Sequence, residues 1–577
     1  MNALNAALLD SLRRLLPAPT GTRLDGAGEI ALQQVVSALN AALERGELAL
    51  DLEGPAPEGL AAEEAEPSDP LWPDAHLAAL TAQGWLVDAA ALDDAPEAPV
   101  VRDGRWLRWR RWHQQLQHCL ADLIARGQAA AEPSPSAAQG RQAQQRAAAA
   151  GLDPQQCRAV EALLRQRLVL LSGGPGTGKT STVVQMLAAA LRLQPGLRLQ
   201  LAAPTGKAAA RLGSAVAQGA RTLEPELAER LQALSSGTLH RLLEARGDGA
   251  GFRRGRSLPL ELDLLVVDEV SMVDLPLMEA LLAALPATAR LLLVGDPAQL
   301  PPVGPGAVLL ELCRPAAQSA LGPAAVELRT TYRNDGAIAA LAAALRHSPQ
   351  RGPELLQALR LQLEPLGPGS NVRWLEAPAG RPPGDALDRL REHQRRLEAL
   401  AGALGEPAAL DGQAHSPAAA ALLAELERLI LLSPTRLGPW GVEAIQRALL
   451  GDAHAGPPQR WPLGTPVLNR RNLPEQGLAN GDIGVLVAGA GGGRLVLFPG
   501  GRLLHPARLG GAEAALALTV HKAQGSQYGE LLLLLPAGRQ LEARLVYTGL
   551  TRAQQQARLY VPAAEALPPM ATALRAP

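Results

Sequence analysis

From residue 152 onward the chain alternates helical stretches with short, unbroken apolar runs at 168–172, 199–203, 262–267, 289–294 and 531–535. A strand apolar on both faces belongs inside a sheet covered on both sides, and strands alternating with helices predict a parallel sheet between helical layers. The rhythm breaks at 464–509, where alternating runs (PVLNR, IGVLVAG, RLVLFPG, RLLHPAR) are separated by Gly and Asn turns. This predicts a small all-β insert. Upstream, 30–50 has helical periodicity, and 53–74 is a Pro-rich acidic stretch expected to be a solvated connection. Segment 100–112 predicts a strand running into an amphipathic helix, with Trp106, Leu107, Trp109 and Trp112 set among arginines. The expectation there is a Trp face packed in a small core with Arg outward; stacking of the rings on nucleic-acid bases is the alternative. Residues 127–151 lack apolar periodicity, centre on Pro-Ser-Pro-Ser and read as a linker. Residues 397–421 read as a helix tip or a mobile loop.

A chain of 577 residues is too long for one hydrophobic core and predicts three or four domains, with 47% apolar residues to fill them. Its formal net charge of -1 means that any nucleic-acid contact must come from a local groove. Cys119, Cys157 and Cys313 lie far apart with no CxxC pair and no His at ligand spacing, which predicts a reducing, cytoplasmic setting without zinc or disulfides. Neither an export leader nor a run of about 20 apolar residues occurs, so no membrane association is expected.

Charge becomes informative through its chemistry. The chain holds three lysines against 52 arginines: Lys179, Lys207 and Lys522. Where Arg serves nearly everywhere, Lys is expected to persist mainly where a compact ammonium on a thin stem is needed. Codon bias with chance placement is the alternative.

Gly173-Gly174-Pro175-Gly176-Thr177-Gly178-Lys179-Thr180 fits GxxxxGK[ST] between an apolar strand and a helix, the context of a phosphate-binding loop. Backbone N–H groups would cradle the phosphates of ATP, Lys179 would reach the β and γ phosphates, and Thr180 would hold Mg2+. The next residue, Ser181, is included in this nucleotide site. LLVVDE ends a buried strand in two carboxylates, where Asp268 would bind Mg2+ and Glu269 would orient or deprotonate the attacking water. Asp296 and Gln299, in LVGDPAQLPPVGPG after the following strand, would sense the γ phosphate.

LDPQQCRAV, APTGKAAARL, TLHRLL, VVDEVSMVD, GDPAQLPPVG, LRTTYRN, ALTVHKAQGS and LVYTGLTRA follow one another in chain order. Over about 152–563 the chain thereby resembles the superfamily 1 helicases, and within them it is most similar to the RecD family, the alpha subunits of exodeoxyribonuclease V. PTRLGPWGV, the segment from Gly464 through Asn472 to NGDIG, and more weakly RLRWRRW near the N-terminus resemble that family as well.

The resemblance implies an α/β fold with two RecA-like motor domains. These would span 151–325 and, in two pieces, 326–460 and 511–577. An SH3-like β insert would occupy 461–510, a helical and mixed partner-binding domain 1–125, and a linker 126–150. It implies that Gln156 serves the adenine, Gln527 the ribose, and Arg333 and Arg552 the γ phosphate from the second motor domain. Pro204, Thr205, Lys207, Thr238, His240, Arg241, Thr519 and His521 would contact DNA phosphates and sugars. Two positions depart from the family pattern: Gln527 stands where Glu is common, and Gln446 where Asn is usual.

The activity implied is ATP-dependent 5′ to 3′ translocation on DNA ends, single- and double-stranded, within a heterotrimer with RecB-like and RecC-like subunits. No run of carboxylates and Lys resembles a nuclease motif, so cutting is expected in the RecB-like partner. Absence of the long N-terminal extension of free-standing RecD-like helicases favours the complex subunit. A free-standing helicase and an ATPase-gated regulatory subunit are the competing readings; a metabolic P-loop kinase would explain none of the motifs after the acidic pair.

Overall fold

The computed structural model describes residues 3–563 apart from 20, 22, 55, 58–71, 247–250, 333–335, 347, 365–366, 368, 405–415, 472, 490–491, 510 and 537–540. Most of the acidic stretch and the middle of 397–421 lie outside the described residues. What is described of the latter belongs to two helices, Gly384–Ala403 and Pro417–Leu426. No described helix is long and apolar enough to cross a membrane.

The apolar runs form a six-stranded sheet in the order Ala325–Leu328, Leu168–Gly173, Arg290–Gly295, Leu264–Val267, Leu199–Ala203, Ser236–Thr238, with every pair parallel. The two-residue period of the strands divides their side chains between two cores. Leu168, Leu170, Leu291 and Leu293 face one, while Val169, Leu171, Leu292 and Val294 face the other. Both faces are covered by helices, which is why the runs carry no polar alternation.

A second parallel sheet follows the order Val372–Ala377, Ala553–Pro562, Tyr528–Leu534, Leu429–Ser433, Ala517–Thr519. Between two of its neighbouring strands, Leu429–Ser433 and Ala517–Thr519, the chain makes the helix Val442–Leu450 and then a five-stranded antiparallel sheet. That sheet runs Arg502–Leu504, Arg494–Phe498, Ile483–Ala488, Pro466–Asn469, Ala512–Ala514. Gln446 explains its own presence here. Its buried amide donates to Ala514 O and, at 3.2 Å, to Ala517 O, tying the last strand of the small sheet to the edge of the second parallel sheet.

Three expectations for the N-terminal third are corrected. First, the chain at 127–151 is not a bare linker: Ala137–Ala149 is a helix with a Ser136–Gln139 capping box, packed against the helix Pro154–Arg165. Its contact face is small (Gly140, Ala143, Ala147), so apolar periodicity is faint, and the S-x-x-Q signal is what marks it. Second, the helix Arg110–Gln128 spends its apolar stripe, Leu116, Cys119 and Leu123, on one face of the first parallel sheet. A boundary at 125 therefore cuts through an element of that core. Third, the arginines do not all point outward. Arg108 is 1% exposed and pairs with Asp103 at 2.7 Å and Glu311 at 3.9 Å, while half-buried Trp106 lies under Arg105 and Arg314 at 5.2 and 4.3 Å from its ring centre. Two carboxylates make burial of the guanidinium tolerable.

The rest of the N-terminal region has its own core of Leu32, Val36, Leu39, Leu80, Trp85 and Leu107. Among its contacts with the first sheet's loops is a tight turn: Gly46 (φ 79°) accepts a hydrogen bond from Gly306 N at 3.0 Å, and a Cβ there would meet Pro302 O at 2.4 Å.

Candidate nucleotide and nucleic-acid site

The motif residues of the first sheet collect at the carboxyl ends of its strands, where open parallel sheets place their ligand crevices. Leu168–Gly173 leads into the glycine loop, Leu264–Val267 into Asp268, and Arg290–Gly295 into Asp296.

Gly176 (φ 75°) and Gly178 (φ 77°) take left-handed conformations that turn the loop into the helix Lys179–Leu193. A Cβ on Gly178 would stand 2.5 Å from Gln156 Nε2, so the cradle is closed to any larger residue. The Lys179 ammonium donates to Gly173 O at 2.7 Å and Gly174 O at 2.8 Å, which leaves its third N–H for a phosphate. Burial lowers its pKa, opposed by the carboxylates of Asp296, Asp268 and Glu269. Thr177 Oγ1 closes the loop on Gly174 O at 2.9 Å.

Gln156 stands beneath this loop. Its amide accepts from Asp153 N at 2.9 Å and donates to Thr177 O at 3.1 Å, so it clamps a helix start to the loop and does not line the nucleotide cavity. The adenine role expected of it is not the one these bonds serve.

Asp268 accepts from Glu269 N at 2.9 Å, and its pKa is pushed up to about 6 by burial and by the neighbouring Glu269. Glu269 itself has φ 53° and ψ 42°, a left-handed conformation strained for a side-chain-bearing residue.

Asp296 is fully buried and receives Tyr547 Oη at 2.6 Å. Leu300 N donates to Thr548 Oγ1 at 2.8 Å, and Gln524 Nε2 donates to Leu300 O at 3.1 Å. The sensor loop of the first sheet is thus bonded directly to the second-sheet elements that carry LVYTGLTRA and HKAQGS.

One cavity of about 320 Å³ gathers the set. Pro175, Gly176, Thr177, Gly178, Lys179, Thr180, Ser181, Asp268, Glu269, Asp296 and Gln299 line it from the first sheet's side, and Gln527 and Arg552 from the second's. Gly173 and Gly174 stand behind its lining. Arg552 is 3% exposed, with its guanidinium held by Thr548 O at 3.0 Å, Ser526 O at 3.3 Å and Thr551 Oγ1 at 3.2 Å. Gln299 Oε1 is buried with no partner among the described residues. A glycine cradle, a spare ammonium N–H and an orphaned amide oxygen fit a triphosphate and its attacking water. Thr180 and Asp268 offer the hard oxygens that suit Mg2+. Arg333 lies outside the described residues.

A second cavity of about 1430 Å³ runs between the first sheet's loops, the small sheet and the second sheet. Lys207, Thr238, His240 and Arg241 line it, as do Asp482 and Arg502 from the small sheet. Thr205 and Thr238 also cap helices, through Ala208 N at 3.2 Å and Arg241 N at 3.1 Å. Pro204, Thr205, Thr519 and His521 are outside this lining. Beside the last two, Lys522 pairs with Glu513 at 2.6 Å, where Arg470 also binds at 3.0 Å. Lys207 stands 4.9 Å from the Tyr528 ring centre, and the Tyr528 hydroxyl is buried without a partner among the described residues.

Residue reasoning missed Arg211 and Tyr332, which line the nucleotide cavity, as well as Tyr547. All three lie in the quoted motif segments, so the position was legible and the role was not. Tyr332 is 53% exposed, and its N–H donates to Gly176 O at 2.8 Å, which sets a flat ring at the cavity mouth.

Residues 156–305 match the model of an AAA domain and 514–560 that of a UvrD-like helicase C-terminal domain. The RecBCD enzyme subunit RecD of Mycolicibacterium smegmatis is 35% identical over 557 residues, covering 93% of this chain and 89% of that one. The subunit of the same name from Mycobacterium tuberculosis is 37% identical over 505 residues, with 85% and 81% covered. The ATP-dependent RecD2 DNA helicase of Deinococcus radiodurans is 33% identical over 417 residues, 70% of this chain and 48% of that protein. Identity at this level over most of the length accounts for the order of the motifs around the cavity: the chain belongs to the RecD family of superfamily 1 helicases.

Proposed function

We propose that this chain is an ATP-driven 5′ to 3′ DNA helicase and translocase that works as the alpha subunit of a RecBCD-type complex on broken DNA ends. The observation that carries the reading is the single cavity at the junction of two parallel sheets, in which a phosphate cradle and a paired carboxylate face a buried arginine from the other sheet. In this reading the first motor domain runs from 151 through the strand Ala325–Leu328, past the expected boundary at 325, and the second comprises 329–460 with 515–577, since Ala512–Ala514 belongs to the small sheet. Residues 461–514 are an SH3-like insert, and the N-terminal region before the helix Arg110–Gln128 binds partner subunits.

Lys179 and the loop N–H groups bind the β and γ phosphates of ATP, and Glu269 positions water with Gln299. Arg552, and Arg333 by family resemblance, spread the charge that develops on the transferred phosphoryl group. Mg2+, held by Thr180 and Asp268, would neutralise phosphate oxygens. Bonds from Tyr547, Thr548 and Gln524 to the sensor loop carry closure and opening from one sheet to the other. DNA in the large groove is gripped by Lys207, Thr238, His240 and Arg241 without sequence readout. Pro204, Thr519 and His521 act at its approaches. DNA cleavage belongs to the RecB-like partner.

The test is unwinding of duplexes carrying 5′ or 3′ single-stranded tails, by the chain alone and with RecB-like and RecC-like subunits. Preference for 5′ tails, strengthened by the partners, is expected. Preference for 3′ tails would overturn the polarity. Full activity in isolation would move the reading to a free-standing helicase, in line with the likeness to the RecD2 protein. ATP hydrolysis without movement along DNA would move it to a regulatory subunit.

A further inference from the structure

Two residues, Arg211 and Gln527, line both cavities. Gln527 spends its amide oxygen on Gln554 Nε2 at 3.1 Å. Arg211 is exposed and makes no hydrogen bond or ion pair among the described residues. It is a free cation between a site built for a triphosphate and a groove built for a phosphodiester chain.

Its helix makes the position mechanical. Gly206–Ala220 starts at the Thr205 cap, and Lys207 and Arg211 are four residues apart on one face, about 6 Å along the axis. Lys207 stands in the groove against Tyr528, and one turn later Arg211 reaches the nucleotide cavity. The helix start is also wedged against the small sheet: a Cβ on Gly206 would lie 2.5 Å from Ala479 Cβ and 3.3 Å from Asp482 Oδ1. Lys207 and Arg211 thus share one helix, the first at the groove and the second at the nucleotide cavity.

We infer that Arg211 couples the two sites, its guanidinium shared between the phosphates of ATP and a phosphate of single-stranded DNA in the groove, so that occupancy of each changes affinity or turnover at the other. This rests on the proposed helicase reading and adds to it a positioning residue that links DNA to hydrolysis.

The experiment compares the full chain with Arg211→Ala and Arg211→Lys. Both substitutions are at an unbonded, exposed helical position that either residue occupies readily. ATP hydrolysis is measured with and without a single-stranded oligonucleotide, and oligonucleotide affinity with and without a non-hydrolysable ATP analogue. For Arg211→Ala the stimulation ratio is expected to fall about tenfold, and the analogue should cease to change oligonucleotide affinity; reciprocity then requires that the oligonucleotide cease to change analogue affinity. Arg211→Lys, which keeps the charge and loses the fork, should recover part of both. Rates that fall together and leave the ratio intact would overturn the inference, as would an unaltered analogue effect. A parent chain whose hydrolysis ignores DNA would overturn the proposed function along with it.

Discussion

The wall of the nucleotide cavity that rises from the first sheet is mostly backbone, with two left-handed glycines, a lysine clasped by carbonyls and a strained Glu269. The wall from the second sheet is made of side chains already tied down, Arg552 by three bonds and Gln527 by one. A backbone wall presents its donors without reorganising, so it suits an anion present throughout the cycle. A side-chain wall depends on the second sheet's position, so it suits charge that must be met at one moment. The two walls should therefore fail differently when each loses its principal cation.

The largest effect is expected on the second wall. In Arg552→Lys a single ammonium of shorter reach replaces a fork bonded to Thr548 O, Ser526 O and Thr551 Oγ1. The rate of ATP hydrolysis should fall about a thousandfold. ATP affinity, measured by equilibrium binding, should change little. On the first wall, Lys179→Arg forces a planar guanidinium between carbonyl oxygens now 2.7 and 2.8 Å from a compact ammonium. Hydrolysis should drop about a hundredfold, here with a matching loss of ATP binding. If both variants lose binding and turnover alike, the contrast between the walls is wrong.

How far this could be read in advance also divides along the two walls. The loop, the acidic pair and the sensor segment follow buried strands, and their chemistry is written in consecutive residues. The first parallel sheet was legible for the same reason, whereas of the second only the run 531–535 was, and its motor domain was implied by resemblance. Arg552 was legible only through resemblance, and the role of Tyr547 not at all, because its partner Asp296 lies far away in the chain and no local pattern announces a contact between two sheets. The same limit hid the surroundings of Arg108: its pairing with Glu311 is tertiary, so a run of Trp and Arg read as rings inward and charges outward. The helix Ala137–Ala149 was lost for the opposite reason, since an alanine and glycine face packs well and leaves almost no hydrophobic period.

A smaller effect should separate the bond between the walls from the walls themselves. Tyr547→Phe keeps the ring, which is 1% exposed, and removes the donor to Asp296, leaving that fully buried carboxylate with one bond fewer. A buried acceptor stripped of its partner costs about 2 kcal/mol, to be read as a lower urea midpoint. ATP affinity should hold while DNA-stimulated hydrolysis falls, since the first wall is intact. Loss of ATP affinity in this variant would mean that the phosphate cradle itself leans on the second sheet.

The smallest effect concerns strain, and it has the opposite sign for stability and for activity. Glu269 holds φ 53° and ψ 42°, a conformation that disfavours any residue with a Cβ by about 1–2 kcal/mol. Glu269→Gly relieves the strain and Glu269→Gln retains it, while both remove the carboxylate proposed to position water. Hydrolysis should be lost in each. Glycine returns part of the gain through the greater freedom of its unfolded chain, so the Gly variant should melt only about 2 °C above the Gln variant when compared without nucleotide. If the two melt together, the left-handed turn is not strained by its side chain. The rigidity of the first wall would then come from the glycines of the phosphate loop and from the Gln156 clamp beneath it.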